Sequence, residues 1–195
     1  MSADLTVDRR KVLAYLRMGG QEPDAALQER LDRVGKAVLA AARPKAYWRL
    51  EPVVFHDDGS YAVGPLELHS RDLLRHLAGC RHAYLFCATL GAEVDALARR
   101  YSQTSGADAL IAQATGAALI EAWCDRCAAD LLAEPAVAGE SLRFRYAPGY
   151  GDLPLETQRE LLAVLDAPRR AGIILSPNLL MIPSKSISAI IGVGL

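Results

Sequence analysis

The chain has 195 residues, 51% hydrophobic and 23% charged, with a net charge of −1 at pH 7, which describes a soluble globular chain able to bury one sizeable core. Its near-neutral balance leaves no electrostatic footprint for nucleic acid or membrane. No apolar run reaches the length of a membrane span and the polar start is unlike a signal peptide, so the expected location is the cytoplasm.

In chain order, residues 8–18 predict a short amphipathic helix ended by Gly19 and Gly20. Ala25 to Ala42 predicts a second, with Leu27, Leu31, Val34, Val38 and Leu39 on one face and Arg43-Pro44 at its end. Tyr47 to Phe55 reads as a strand in which Pro52 argues for an edge or a bulge. The turn Asp57-Asp58-Gly59-Ser60 leads to short extended pieces at 61–63 and 66–68. Ser70 is placed to cap a helix over 71–77. The apolar run 83–88 has the pattern of a strand covered on both faces. Helices are then expected over 93–101 and 107–132, the latter about 38 Å long.

In the last third, Leu142 to Tyr146 reads as a strand that delivers Arg145 to a rigid loop. Pro148 fixes its own φ, while Gly149 and Gly151 permit backbone conformations closed to other residues. Tyr150 stands between these glycines. A helix is expected over 156–166 and extended segments at 173–175 and 186–191. An anchored arginine, exposed amides and a tyrosine make a cradle suited to an aromatic ligand that bears a carboxylate. The plainer reading is a structural arginine stacked in a turn beside a corner-packing tyrosine.

The long helix holds a stretch nearly free of bulk: Ala112, Ala114, Gly116, Ala117 and Ala118. A neighbouring backbone or ligand can approach it closely. Glu121 follows on the same face. It serves either a cationic ligand or a salt bridge to Arg126 or another exposed side chain. The four cysteines are too few and too scattered for a disulfide framework. Cys124 and Cys127 form a C-x-x-C inside a helix without a second ligand pair, and read as buried small residues. The four histidines show no paired ligand spacing.

Arg145-Tyr146-Ala147-Pro148-Gly149-Tyr150 resembles the Arg-x-Ala-x-Gly-Tyr signature of the activation (reactivation) domain of cobalamin-dependent methionine synthase. Met181-Ile-Pro-Ser-Lys-Ser-Ile-Ser resembles that family's Met-x-Pro-x-x-Ser-Val-Ser segment. The resemblance implies an α+β fold with a bent mixed or antiparallel sheet and flanking helices over 46–195; the opening helices are not covered by it and read as a helical N-terminal extension over 1–45. It implies a site for S-adenosylmethionine. Arg145 would hold the methionyl carboxylate through forked hydrogen bonds. Main chain at Ala147 and Gly149 would meet the nucleoside beside Tyr150, and Glu121 and Glu140 would supply acidic contacts.

By the same likeness the cobalamin is carried by a partner, a methionine synthase core or another corrinoid protein. The chain would be a separately encoded activation subunit, not catalytic alone, that positions the methyl donor while another protein supplies the electron. Leu155 and Glu156 depart from the family pattern, and Ile191 stands where a ligand-contacting tyrosine is expected. That last departure favours a second reading: a module that senses S-adenosylmethionine or docks on a corrinoid protein without methyl transfer. An independent methyltransferase or hydrolase lacks support, because neither a glycine-rich strand-to-helix fingerprint nor a nucleophile–base set is present.

Overall fold

A computed structural model describes residues 5–194. The elements in chain order are α1 (Arg9–Tyr15), α2 (Ala25–Ala41), β1 (Lys45–Phe55), β2 (Tyr61–Val63), β3 (Leu66–Leu68), α3 (Arg71–His76), β4 (His82–Thr89), α4 (Ala92–Thr104), α5 (Gly106–Leu132), β5 (Ser141–Leu142), α6 (Thr157–Val164), α7 (Ala167–Arg170), β6 (Ile174–Leu175), β7 (Met181–Ile182) and β8 (Ser186–Gly194). Six strands form one sheet in the order β3-β2-β1-β4-β8-β5, and β6 pairs with β7 separately. Every pairing between these strands is antiparallel.

The sheet separates two cores, and β4 shows why. Tyr84, Phe86 and Ala88 enter one core with the apolar faces of α1, α2, α4 and α5. Ala83, Leu85 and Cys87 enter the other, with Leu73 of α3 and Leu161 of α6. Alternation along a strand sends successive side chains to opposite faces, so a central strand covered on both is apolar throughout. The helices begin where side chains satisfy their first amides: Asp8 accepts from Arg10 N–H, Asp24 from Leu27, Ser70 from Leu73 and Ser105 from Asp108.

The two opening helices share the first core with the sheet through Val12, Leu13, Leu31, Val34 and Val38. Buried Asp108 of α5 reinforces this by pairing with Arg33 of α2 at 2.7 Å. Pro52 lies where β1 changes partners: residues 45–52 pair with β4 and residues 53–55 with β2. Val53 donates to Arg81 O on the β4 side, so the missing N–H of Pro52 falls on the other side, where its carbonyl accepts from Gly64 N–H at the end of the β2 pairing.

Several expected boundaries change. The first helix ends at Tyr15, short of Gly19 and Gly20, with Arg17 at φ +58°, and the helix expected over 93–101 spans Ala92–Thr104. The helix over 156–166 stops at Val164, because Asp166 adopts φ +48° and starts α7. The last strand runs on to Gly194. The expected strand 142–146 is interrupted. Leu142 pairs with Val193 and Tyr146 bridges to Ile190, so four steps on one chain oppose three on the other. That extra residue is a bulge, which lifts the chain off β8 and re-aims Arg145.

Candidate functional site

The bulge opens a cavity of about 910 Å³ between α5, the 140–150 segment and β8. Past Ile190, the outer edge of β8 has no strand beside it among the described residues, and Ser186 to Ala189 form one wall. Gln158 of α6 is buried and closes the floor, donating to Leu179 O (2.9 Å) and accepting from the Ser188 hydroxyl (3.2 Å). Met181 of β7 and Phe144 complete the rim.

Arg145, Ala147, Tyr150, Glu121 and Glu140 all line this cavity. Arg145 comes from the bulge, and its guanidinium donates to Asp125 at 2.8 Å. Tyr150 stands exposed at the mouth, its ring edge-on to Tyr146 with centroids 6.1 Å apart. Glu140 pairs with Arg81 at 3.4 Å. Gly149 does not line the cavity. Its φ of +91° closes a turn in which its N–H donates to Leu153 O, so that amide is spent on the loop itself.

Glu121 does not pair with Arg126, which turns outward to Asp130 at 3.9 Å. Its partners come from α1: the Tyr15 hydroxyl donates to one carboxylate oxygen and the Lys11 ammonium lies 3.2 Å from the other. Lys11 also reaches Asp125 at 3.8 Å. The hydrogen bond to Glu121 is the main cause that pushes the Tyr15 phenol up to about 12, since ionising it would set two anions against each other.

The loop is anchored at its far end by Asp152, whose carboxylate accepts from the Ser70 hydroxyl and from the Arg71 (2.9 Å) and Asp72 (3.1 Å) amides. These bonds, the Ser70 one foremost, hold its pKa below the usual carboxylate range. His76 Nε2 lies 3.0 Å from the Phe144 carbonyl and pins the bulge, its ring 4.2 Å from that of Phe144. Burial pushes His76 down, leaving it a neutral Nε2–H donor at pH 7.

The small-residue stretch of α5 is used by Lys185. A Cβ at Gly116 would lie 3.0 Å from the Lys185 side chain, so the bare helix accommodates its aliphatic stem. Burial pushes the Lys185 ammonium down, opposed by Asp95. Cys124 and Cys127 are buried, and burial pushes both thiols up to about 12.

Sequence reasoning missed Asp125, Gln158, Phe144 and the two α1 residues. Asp125 had a signal, lying four residues after Glu121 and hence on the same helical face. Gln158 interrupts an apolar pattern. Lys11 and Tyr15 had none. Among the described residues no cluster of three or more His, Cys, Asp or Glu is placed to hold a metal ion, and no helix is long and apolar enough to cross a membrane.

Comparison with known proteins follows the same lines. No curated protein sequence matches the chain. Among solved structures, the MetH reactivation domain bound to AdoHcy superposes with a TM-score of 0.72 at 18% identity, covering 95% of this chain and 73% of that one. This likeness carries the fold. Residues 72–194 match the family described as vitamin B12 dependent methionine synthase, activation domain. That match takes in α3 through β8, and with them the bulge, the loop and every sheet strand that borders the cavity. The chain belongs to the activation-domain family of vitamin B12 dependent methionine synthase.

Proposed function

We propose that this chain is a separately encoded activation subunit that binds S-adenosylmethionine in the cavity beneath Arg145 and Tyr150 and presents it to cobalamin on a partner protein. The observation that carries the reading is the convergence of opposite charges in one cavity: Arg145 beside Asp125 and Glu121, with the Tyr150 ring at the mouth. A methionyl group brings a carboxylate and an ammonium together, and such a pair of charges is matched by an arginine next to acids. The MetH reactivation domain, of the same fold, is bound to AdoHcy.

Arg145 would fork to the ligand carboxylate, Ala147 and Tyr150 would border the nucleoside, and Glu121 and Glu140 would receive positive charge. Gly149 shapes the turn that carries them. The partner's corrinoid is the methyl acceptor and a separate donor supplies its electron, so the methyl group leaves the sulfonium and S-adenosylhomocysteine remains in the cavity. No side chain of this chain acts as nucleophile or general base; its contribution is proximity. Helices α1 and α2 lie before the family match and pack into the same core as the sheet.

One observation favours the second reading, a sensor or docking module without methyl transfer. Ile191 is 2% exposed and lines the cavity where the family resemblance places a tyrosine, so the side chain at that position offers no hydrogen bond. Calorimetric titration of S-adenosylmethionine into the protein and into Arg145→Ala tests the site. Reductive remethylation assayed with a cobalamin-loaded methionine synthase core then separates the two. Methyl transfer that depends on this chain supports the subunit, and binding without transfer supports the sensor.

A further inference from the structure

Helix α1 presents a cation to the cavity's acids. Lys11 Nζ lies 3.2 Å from Glu121 and 3.8 Å from Asp125, the Tyr15 hydroxyl takes the other Glu121 oxygen, and Arg145 takes Asp125 at 2.8 Å. These five side chains form one continuous chain of charge from the N-terminal helix to the loop. Both Glu121 oxygens are thereby engaged. An incoming ammonium or sulfonium meets acids that already have a positive partner.

We propose that Lys11 and Tyr15 are specificity-determining residues, competing with the ligand's own cationic group for Glu121 and Asp125. The idea rests on the reading of the cavity as a site for S-adenosyl compounds. Lys11 holds the place of the ammonium, and binding exchanges one cation for the other. The exchange is inexpensive. The Lys11 side chain is 42% exposed and those of Glu121 and Asp125 are 34% and 57% exposed, and ion pairs so open to water stabilise little. A ligand ammonium tethered beside Arg145 by its own carboxylate has the higher effective concentration. A ligand that lacks the ammonium has nothing to displace Lys11 with, so the cavity ranks ligands by whether carboxylate and cation arrive together. Release of Lys11 also frees α1 from Glu121, which makes α1 sensitive to occupancy.

The test is calorimetric titration of S-adenosylhomocysteine into four proteins: wild type, Lys11→Met, Tyr15→Phe and Arg9→Met. Arg9 lies on the same helix but pairs with Asp32, away from the cavity, so it controls for net charge. Lys11→Met should bind about three- to five-fold more tightly, the scale of one exposed ion pair, with Tyr15→Phe shifted the same way and Arg9→Met unchanged. Hydrogen exchange in α1 should rise when ligand saturates the wild type. Unchanged or weaker binding by Lys11→Met, while wild type binds, overturns the competition and leaves the site reading standing. Binding by Lys11→Met where wild type shows none supports it. Absence of binding in both overturns the site reading and the inference together.

Discussion

Arg145 and Asp125 meet at 2.8 Å across the cavity, joining the bulged strand to the middle of α5. The pair is partly exposed, with side chains 27% and 57% accessible, so it orients the guanidinium at little cost to a ligand that replaces it. Arg145→Ala should weaken S-adenosylmethionine binding about 10- to 100-fold, the scale of hydrogen bonds to a charged group. Arg145→Lys should recover only part of this, because an ammonium cannot fork. Calorimetry on the two variants checks both statements.

Gly151 is the position in the loop where a side chain is excluded. Its φ is +52°, and a Cβ there would strike the Asp72 carboxylate and the Tyr146 hydroxyl. Gly151→Ala should destabilise the fold by about 1–3 kcal/mol and weaken ligand binding through the displaced Tyr150. Urea unfolding and titration measure the two effects. A variant as stable as wild type would show that the turn tolerates another conformation.

Tyr15 gives an alkaline signature. Its pKa is raised to about 12 in the folded state, above its ordinary value of 10.0. The contact with Glu121 therefore contributes fully below pH 10 and is lost as pH rises toward 12. Burial also pushes the Tyr61, Tyr84 and Tyr146 phenols up, so the Tyr15 contribution to tyrosinate absorbance is the late-titrating part that Tyr15→Phe removes, and hydrogen exchange in α1 should increase over the same interval. Tyr15→Phe should lack that increase.

Asp152 behaves in the opposite sense. Its pKa is lowered, first by the Ser70 hydroxyl and then by the α3 amides. Its anchoring of the loop is present above the ordinary carboxylate value and is lost as pH falls through the depressed one. Asp152→Ala should loosen the 147–154 segment and weaken ligand binding at neutral pH. Proteolysis of that segment and calorimetry provide the checks.

The cysteines should be inert in the native protein. All four are buried, and the Cys124 and Cys127 thiols are held near 12 by burial, so almost no thiolate exists at neutral pH. A disulfide reagent should react with none of them until the chain unfolds. Fast native labelling of Cys124 or Cys127 would show that α5 opens.

Some of this was legible in the residues alone. The apolar run at 83–88 declared a strand buried on both faces, Ser70 declared a helix start, and the Arg145–Tyr150 signature pointed to the loop that borders the cavity. The bulge was not legible, because it is defined by the difference in count between two strands and Ile190 lies 44 residues beyond Tyr146. The closure of the turn at Gly149 was not legible for a related reason. Its sequence shows that a positive φ is permitted, but not that Leu153 takes the amide.

What the sequence by itself determined are features that follow from near neighbours: period, caps, turn chemistry and the presence of an arginine and a tyrosine on a rigid loop. Only the tertiary structure decided which charges meet. Glu121 had a candidate partner five residues away in Arg126, yet its carboxylate turns to Tyr15, 106 residues earlier. The physical reason is that a side chain on a helix chooses among whatever its face is packed against. That face is set by burial of Val12, Leu13 and the apolar side of α5 in one core, a consequence of the whole fold rather than of any segment.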